Sequence, residues 1–445
     1  MSTRMFGTDG VRGIANGDLS PELAFRLGEA AGRFLCDHGR GRIVVGKDTR
    51  RSGDMLEAAL VAGITAGGSD ALLAGIVPTP AVALLTRVLA ADGGVVISAS
   101  HNAAEYNGIK FFNREGFKLP DELEDEIAEF TMDRGDAPRP TAGAVGTVTR
   151  VMEAAELYIA HAVGTVTGDL EGMRVAVDCG HGASALTSPE ALRRLGAQVT
   201  AINCDWDGMD INRECGSTHL GRVAEVVAEG GFDIGISHDG DADRVLFVDE
   251  NGAEVDGDVV MAICARHLMA RGSLAKNTLV ATVMSNMGLE VAMREAGVTL
   301  VRTKVGDRYV LEQMVSSGAE LGGEQSGHVI FLNHNTTGDG LVTALSLITM
   351  VRDAGVPLSE LAKAMRHYPQ VLINVQVADK GRLSTSAALA DAVHAAEERL
   401  GDDGRVLVRA SGTEPLIRVM VEAGDAGVAQ DVAEAIVSVV KAQLG

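Results

Sequence analysis

Short apolar runs alternate along the chain with amphipathic ones, and the rhythm restarts more than once. RIVVG (42–46), DALLAG (70–75) and GGVVISAS (93–100) are continuous apolar stretches of strand length, as expected of strands covered on both faces. Helices are expected near 54–67 and 79–90, between and after these runs. Ser20-Pro21 reads as an N-cap followed by proline at the first helical position, opening a helix to about Asp37. This is the β-α-β order of a mostly parallel sheet. The Gly-, Pro- and Ala-rich DRGDAPRPTAGAVG (133–146) reads as a linker.

The rhythm resumes with RVAVDCG (174–180), QVTAIN (198–203) and DIGISHDG (233–240), and again with NTLVATVMS (277–285), TLVRTKVG (299–306) and AELGGEQSG (319–327). The end of the chain differs. QVLINVQV and RVLVRAS flank a helix near 386–399, LIRVMVEA follows a short turn, and a last helix spans 427–443. The predicted class is α/β with four domains. Three are similar α/β units with mixed, mostly parallel sheets, at residues 1–150, 151–253 and 254–366. The fourth is a smaller C-terminal α+β unit at 367–445. In each unit one strand runs into a polar loop: SASHN (98–102), SHDGDADR (237–244), GGEQSGH (322–328) and RASGTEP (409–415). Ligands of open α/β sheets gather at the carboxyl ends of strands, so the four loops are expected to line one central cleft.

Composition narrows the chemistry. The 445 residues are too many for one core, and with 3% aromatics the cores must be built from Val, Leu, Ile, Ala and Met. A net charge of −22 makes a poor general binder of nucleic acid or anionic membrane, so any anion must meet a local cluster of Arg and Lys. Cys36, Cys179, Cys204, Cys215 and Cys264 show no CxxC spacing, which argues against a zinc site or disulfide framework and fits a reducing compartment. MSTRMFGTDG has no apolar signal region and no run approaches a membrane span, so a cytoplasmic protein is expected.

Asp239, Asp241 and Asp243 alternate, which in an extended segment puts three carboxylates on one side; hard oxygens crowded together suit Mg²⁺. An EF-hand is rejected because Arg244 stands where glycine is required and a strand precedes the loop. Ser100 follows a buried strand; on its own it also fits a plain turn or N-cap residue, and it suits a nucleophile once a cation is near. His101, its neighbour in sequence, is expected to point elsewhere. Ser411, Gly412 and Thr413, flanked by Arg409 and Arg418, have the makings of a phosphate cradle. Glu324, Ser326 and His328 alternate and are expected to share a face suited to a polyol. GRIVVGK (41–47) spells a Walker A loop only in part, because Asp48 replaces Ser or Thr.

Together the four loops resemble those of the α-D-phosphohexomutase superfamily over nearly the whole chain. FGTDGVRG (6–13), GGEQSGH and RASGTEPLIRVMVE resemble its glucosamine branch, Gln325 included. The resemblance implies a mutase that interconverts hexosamine 6- and 1-phosphates, upstream of nucleotide-sugar and cell-wall precursors, through a bound 1,6-bisphosphate. Ser100 would carry the phosphoryl group, and Asp239, Asp241 and Asp243 would hold Mg²⁺ with it. Glu324 and Ser326 would contact sugar hydroxyls, and Arg409, Ser411, Gly412, Thr413 and Arg418 the distal phosphate. Arg12, Lys110, Arg244 and His328 would line the reaction centre, with Lys110 and His328 as proton-transfer candidates. The implied partner is a small sugar phosphate, with no nucleic acid or membrane and with a homodimer allowed. Three positions depart from the family pattern: Ala103 for proline, Ala242 for glycine, and Tyr106 as in the phosphomannomutase/phosphoglucomutase branch.

Overall fold

Ser20 caps the first helix, Pro21–Phe34, by accepting from Leu23 N at 3.2 Å, with Pro21 in the first turn. The computed structural model describes residues 4–444 apart from 8, 37–39, 136 and 412–415. The chain divides into two compact units: Met1–Met284 with Ala296–Ala364, and Ser285–Glu295 with Met365–Gly445.

The first unit holds three sheets. The first is built from β1 (Val11–Ile14), β2 (Arg42–Lys47), β3 (Asp70–Ile76), β4 (Gly93–Ile97), β5 (Tyr106–Asn113) and β6 (Val148–Arg150), in the order β1-β5-β4-β2-β3-β6. The apolar β2 and β4 run parallel at its centre, buried by helices, while β5 returns antiparallel beside β4. The second sheet contains β7 (Arg174–Asp178), β8 (Gln198–Ile202), β9 (Ile234–His238), β10 (Val245–Asp249) and β11 (Glu254–Val255), ordered β11-β10-β9-β7-β8. The third contains β12 (Thr278–Thr282), β13 (Thr299–Thr303), β14 (Leu321–Gly323) and β15 (Val329–Phe331), ordered β13-β12-β14-β15. Each sheet mixes parallel neighbours with antiparallel ones, including a hairpin at β4–β5, β9–β10 and β14–β15; β10–β11 and β1–β5 are antiparallel as well.

The second unit is a three-stranded antiparallel sheet, β16 (Gln370–Gln376), β17 (Gly404–Ala410) and β18 (Leu416–Ala423), with β18 central. Helices Ala387–Leu400 and Ala426–Leu444 pack on it, and Ile417, Val419, Val421, Val432 and Ile436 lie in the shared core. Buried Glu422 ties the segment before helix Met287–Glu295 to this sheet, accepting from Met287 N at 2.9 Å and Arg405 Nε at 2.6 Å. The fold is thus three mixed α/β layers and a smaller α+β unit, the expected class. All four polar loops have one architectural position, the connection of an antiparallel hairpin. Among the described residues no single helix is long and apolar enough to cross a membrane.

Candidate active site

The β4–β5 connection carries Ser100. Its φ is +54°, the left-handed region, which costs a residue other than glycine about 1–2 kcal/mol. Strain of this kind persists only where the surroundings over-determine it. Here Ser100 N donates to Ser98 Oγ at 2.9 Å, and Ser98 Oγ donates to Asp48 at 2.6 Å. The left-handed turn also overturns the expected direction of His101: its Nδ1 lies 3.2 Å from Ser100 Oγ. Burial, with Arg244 and Arg12 nearby, lowers the His101 pKa to about 4. Ser100 Oγ donates to Asp239 Oδ2 at 2.6 Å. Close approach of the two loops needs glycine at 240, where a Cβ would stand 2.8 Å from Ser100 O.

Asp239, Asp241 and Asp243 occupy the β9–β10 connection. The loop is a turn rather than an extended segment, with Ala242 at φ +52°, so the carboxylates converge by bending instead of by strand alternation. Their ligand atoms lie within 4.8 Å of one another and all three residues are buried. Burial, then Asp243 and Asp241, push the Asp239 carboxyl well above its ordinary range; burial and Asp241 raise Asp243. Burial alone would raise Asp241 too, but Lys110 and Thr79 hold it below. Thr79 Oγ1 donates to it at 2.6 Å and Lys110 Nζ at 2.9 Å. Asp241 Oδ1 and Asp243 Oδ1 are buried with no hydrogen-bond partner. Two orphaned anionic oxygens beside a third carboxylate fit a hard divalent cation.

A chain of ionic groups leads away from this loop, buried at Lys110 and His328 and half-buried between them. Lys110 Nζ meets Asp9 at 3.0 Å, Asp9 meets Lys118 at 2.6 Å, Lys118 pairs with Asp307, and Asp307 Oδ2 lies 3.5 Å from His328 Nε2. Burial would lower the Lys110 ammonium's pKa, but Asp241, Asp9 and Asp243 together raise it, so the ammonium form is held. Arg12, on β1 opposite Gly108, pairs with Asp9. Arg244 Nε stands 4.0 Å from Asp243, and its backbone N donates to Asp239 at 3.2 Å.

The β14–β15 connection departs from the expected alternation. Residues 324–327 form a tight turn, with Gly327 N bonded to Glu324 O at 3.0 Å and Gly327 at φ +89°, so Glu324, Ser326 and His328 do not share a strand face. Glu324 Oε1 accepts from Gly306 N at 3.1 Å, Ser326 is half-buried at the tip, and His328 is buried beside Gly338. Gln325 Nε2 donates at 2.9 Å to Asp256, the N-cap of helix Gly257–Ala270. In the second unit Arg409 and Arg418 stand directly opposite each other across β17–β18, and Ser411 N bonds Leu416 O at 2.9 Å. Gly412 and Thr413 lie outside the described residues.

Sequence reasoning missed several residues of this site: Asp9, Asp48, Arg50, Thr79, Lys118, Asn212 and Asp307. Asp48 and Arg50 had a readable signal, since KDTRRS places a run of charges directly after the apolar IVVG. The others are single polar residues whose partners come from distant segments.

A buried serine facing three buried carboxylates suits metal-assisted phosphoryl transfer. The four Phosphoglucomutase/phosphomannomutase family models match in order: alpha/beta/alpha domain I at residues 3–136, domain II at 156–252, domain III at 256–368 and the C-terminal domain at 372–439. The chain therefore belongs to the phosphohexomutases, and its curated relatives are phosphoglucosamine mutases. That of Symbiobacterium thermophilum is 55% identical, covering 99% of both chains. That of Streptomyces griseus is 53% identical, over 99% of this chain and 100% of its own. Among solved structures, a Phosphoglucomutase/phosphomannomutase family protein from Burkholderia thailandensis shares the fold with TM-score 0.84 at 24% identity, over 99% and 98% of the two chains. A putative phosphomannomutase from Thermus thermophilus matches with TM-score 0.77 at 25% identity, over 99% and 100%.

Proposed function

We propose that the protein interconverts glucosamine 6-phosphate and glucosamine 1-phosphate through a phosphoryl group carried on Ser100. The observation that carries this reading is Ser100 Oγ at 2.6 Å from Asp239 Oδ2, beside three converging carboxylates. Relatives 51–55% identical over nearly the full length favour the glucosamine substrate over mannose or glucose phosphates. Tyr106 does not alter this choice: its side chain is exposed, and the loop uses its main-chain N–H and carbonyl.

In the reaction the O–P bond to phospho-Ser100 breaks and Ser100 Oγ keeps the electron pair. A new O–P bond forms to the free sugar hydroxyl, whose proton leaves to a base, for which His328 is the candidate. The 1,6-bisphosphate then turns over, and the reverse transfer restores phospho-Ser100 with no net loss of phosphate. Asp239, Asp241 and Asp243 would hold Mg²⁺, which when bound supplies positive charge to the phosphoryl oxygens. Lys110 and Arg244 add fixed positive charge, and phosphoryl transfer depends chiefly on such positioning and charge. Lys110 is a poor base because its ammonium form is held by three carboxylates. Glu324 and Ser326 are the proposed sugar contacts, and Arg409, Ser411, Gly412, Thr413 and Arg418 the proposed contacts of the phosphate not being transferred.

Ser100→Ala tests the reading. Mutase turnover is expected to fall at least about 10³-fold, and intact mass spectrometry should find the phosphoryl group on a Ser100 peptide of the wild type only. Substantial mutase activity in the variant would sink the mechanism, and release of inorganic phosphate in place of the isomer would make the protein a phosphatase.

A further inference from the structure

Ser100 and Asn102 have carbonyls outside the β4–β5 ladder, that of Ser100 buried and that of Asn102 half-buried. Each accepts two hydrogen bonds, one from each of the same two side chains. Arg50 Nη2 donates to Ser100 O at 3.0 Å and to Asn102 O at 2.8 Å. Asn212 Nδ2 donates to the same two oxygens at 2.9 and 3.0 Å. Arg50 follows β2 of the first sheet, whereas Asn212 lies in the long segment after β8 of the second. The Arg50 guanidinium is itself fixed: Nε donates to Asp48 Oδ2 at 2.9 Å, and Nη1 reaches the carbonyls of Ala103 and Tyr106. Its side chain is 0% exposed.

We propose that Arg50 and Asn212 are positioning residues that together hold Ser100 in its strained conformation with Oγ aimed at the three aspartates. The circuit is closed. Arg50 grips Asp48, Asp48 accepts from Ser98 Oγ, Ser98 Oγ accepts from Ser100 N, and Ser100 O returns to Arg50. Both backbone polar groups of Ser100 are therefore fixed. A buried carbonyl left without its donor is costly, so the loop cannot relax without losing several bonds at once. Asn212 brings the second sheet into the same grip, which links the placement of the serine to the domain that carries the carboxylates. Neither side chain contacts Ser100 Oγ in a hydrogen bond, and both act through the carbonyls.

The proposal rests on Ser100 being the phosphoryl carrier. Its test uses full-length Arg50→Lys, which keeps the charge beside Asp48 but cannot span four carbonyls, and Asn212→Leu, which keeps the volume. Each is expected to lower kcat about 10-fold or more while KM for glucosamine 6-phosphate changes less than about 3-fold, since a small misplacement of a reacting group costs rate more than binding. Phosphorylation of Ser100 by glucosamine 1,6-bisphosphate, followed by intact mass, should slow by the same factor, with the Mg²⁺-dependent thermal shift unchanged. The double variant should lose less than the product of the single losses, because both side chains serve the same two carbonyls. Wild-type kcat in both folded variants overturns the proposal. If Arg50→Lys does not fold, Asn212→Leu decides alone, and wild-type turnover there is the overturning result. Activity surviving in Ser100→Ala would remove the phosphoserine reading itself, a different failure from active positioning variants beside an inactive Ser100→Ala.

Discussion

The serine loop and the metal loop are built alike and finished differently. Each closes an antiparallel hairpin and each turns through a left-handed residue that is not glycine, Ser100 at φ +54° and Ala242 at φ +52°. In the serine loop Ser100 N and the four carbonyls of Ser100, Asn102, Ala103 and Tyr106 are matched by protein groups, with a buried guanidinium at the centre. The metal loop's backbone is also tied, with Asp241 O bonded to Thr79 N at 2.9 Å and Ala242 O to Gly340 N at 3.0 Å. Its side chains are tied only in part: Asp241 Oδ2 accepts from Thr79 and Lys110 and Asp239 Oδ2 from Ser100 Oγ, while Asp241 Oδ1 and Asp243 Oδ1 are orphaned. The polar groups of the first loop are matched by the protein itself, whereas the second leaves two buried carboxylate oxygens unmatched, which a cation would satisfy. On the proposed mechanism, a nucleophile preorganised independently of the metal would present the phosphoserine with the same geometry to either orientation of the bisphosphate.

The largest expected effect comes from cutting into the second loop. Asp239→Asn removes one of the three crowded carboxylates and the acceptor of Ser100 Oγ–H. Turnover should fall about 10³-fold, the scale of a lost metal or electrophilic contribution. In the wild type, Mg²⁺ at a hundred times its Kd should stabilise the fold by about 2.7 kcal/mol, a rise of a few degrees in Tm. In the variant that rise should disappear, and without Mg²⁺ the variant should melt no lower than the wild type because a mutual repulsion has gone. An undiminished Mg²⁺ shift would break the contrast between the loops.

A middle effect separates the cation from the ion chain behind it. Asp307 is separated from the carboxylate cluster by three ion pairs, through Lys118 and Asp9 to Lys110, which meets Asp241 in a fourth, yet it faces His328. Asp307→Asn should lower kcat about 10-fold, the range for loss of a carboxylate that orients a working imidazole, while leaving the Mg²⁺ thermal shift intact. The same substitution should reduce acid resistance. Burial raises the Asp307 carboxyl, but Lys118 and His328 outweigh it and the net shift is downward. A depressed carboxylate contributes stability above its unfolded pKa, and that contribution fades as pH falls through the folded value. The wild type's advantage over the variant should therefore shrink on acidification below about pH 4. A lost Mg²⁺ shift in Asp307→Asn would merge the two systems that the geometry keeps apart.

Much of this was legible in the sequence, for reasons that differ by residue. The hairpin loops stand out because an apolar run breaks abruptly into polar residues and then resumes, as at VVISASHN and DIGISHDGDADR. Ser100 and the three aspartates could be grouped because oxygen ligands carry their chemistry in their residue type. The direction of His101 could not be read, because neighbouring residues diverge only while the backbone stays extended, and Ser100 does not. The alternation of Glu324, Ser326 and His328 failed for the same reason, at Gly327. Arg50 and Asn212 were invisible as a pair because they meet only at carbonyls, which every residue has. That also disposes of Ala103 and Tyr106 as departures in loop anchoring: both supply main-chain oxygens to Arg50, a role independent of their side chains.

The smallest effect is expected at the other left-handed residue. Ala242→Gly relieves a backbone conformation worth about 1–2 kcal/mol. Against this stand the greater flexibility of glycine in the unfolded chain, about 0.5–1 kcal/mol, and part of the roughly 0.8 kcal/mol for one buried methyl. The terms nearly cancel, so stability should change by less than about 1 kcal/mol, with kcat within about twofold of wild type. Thermal melting with and without Mg²⁺, alongside turnover, measures both. A large loss of activity would mean that the Ala242 methyl, 1% exposed, sets the spacing of Asp241 and Asp243. The metal loop would then be held as tightly as the serine loop, by packing in place of hydrogen bonds. Near-silence would leave strain as a functional requirement only where the strained residue carries the reacting oxygen.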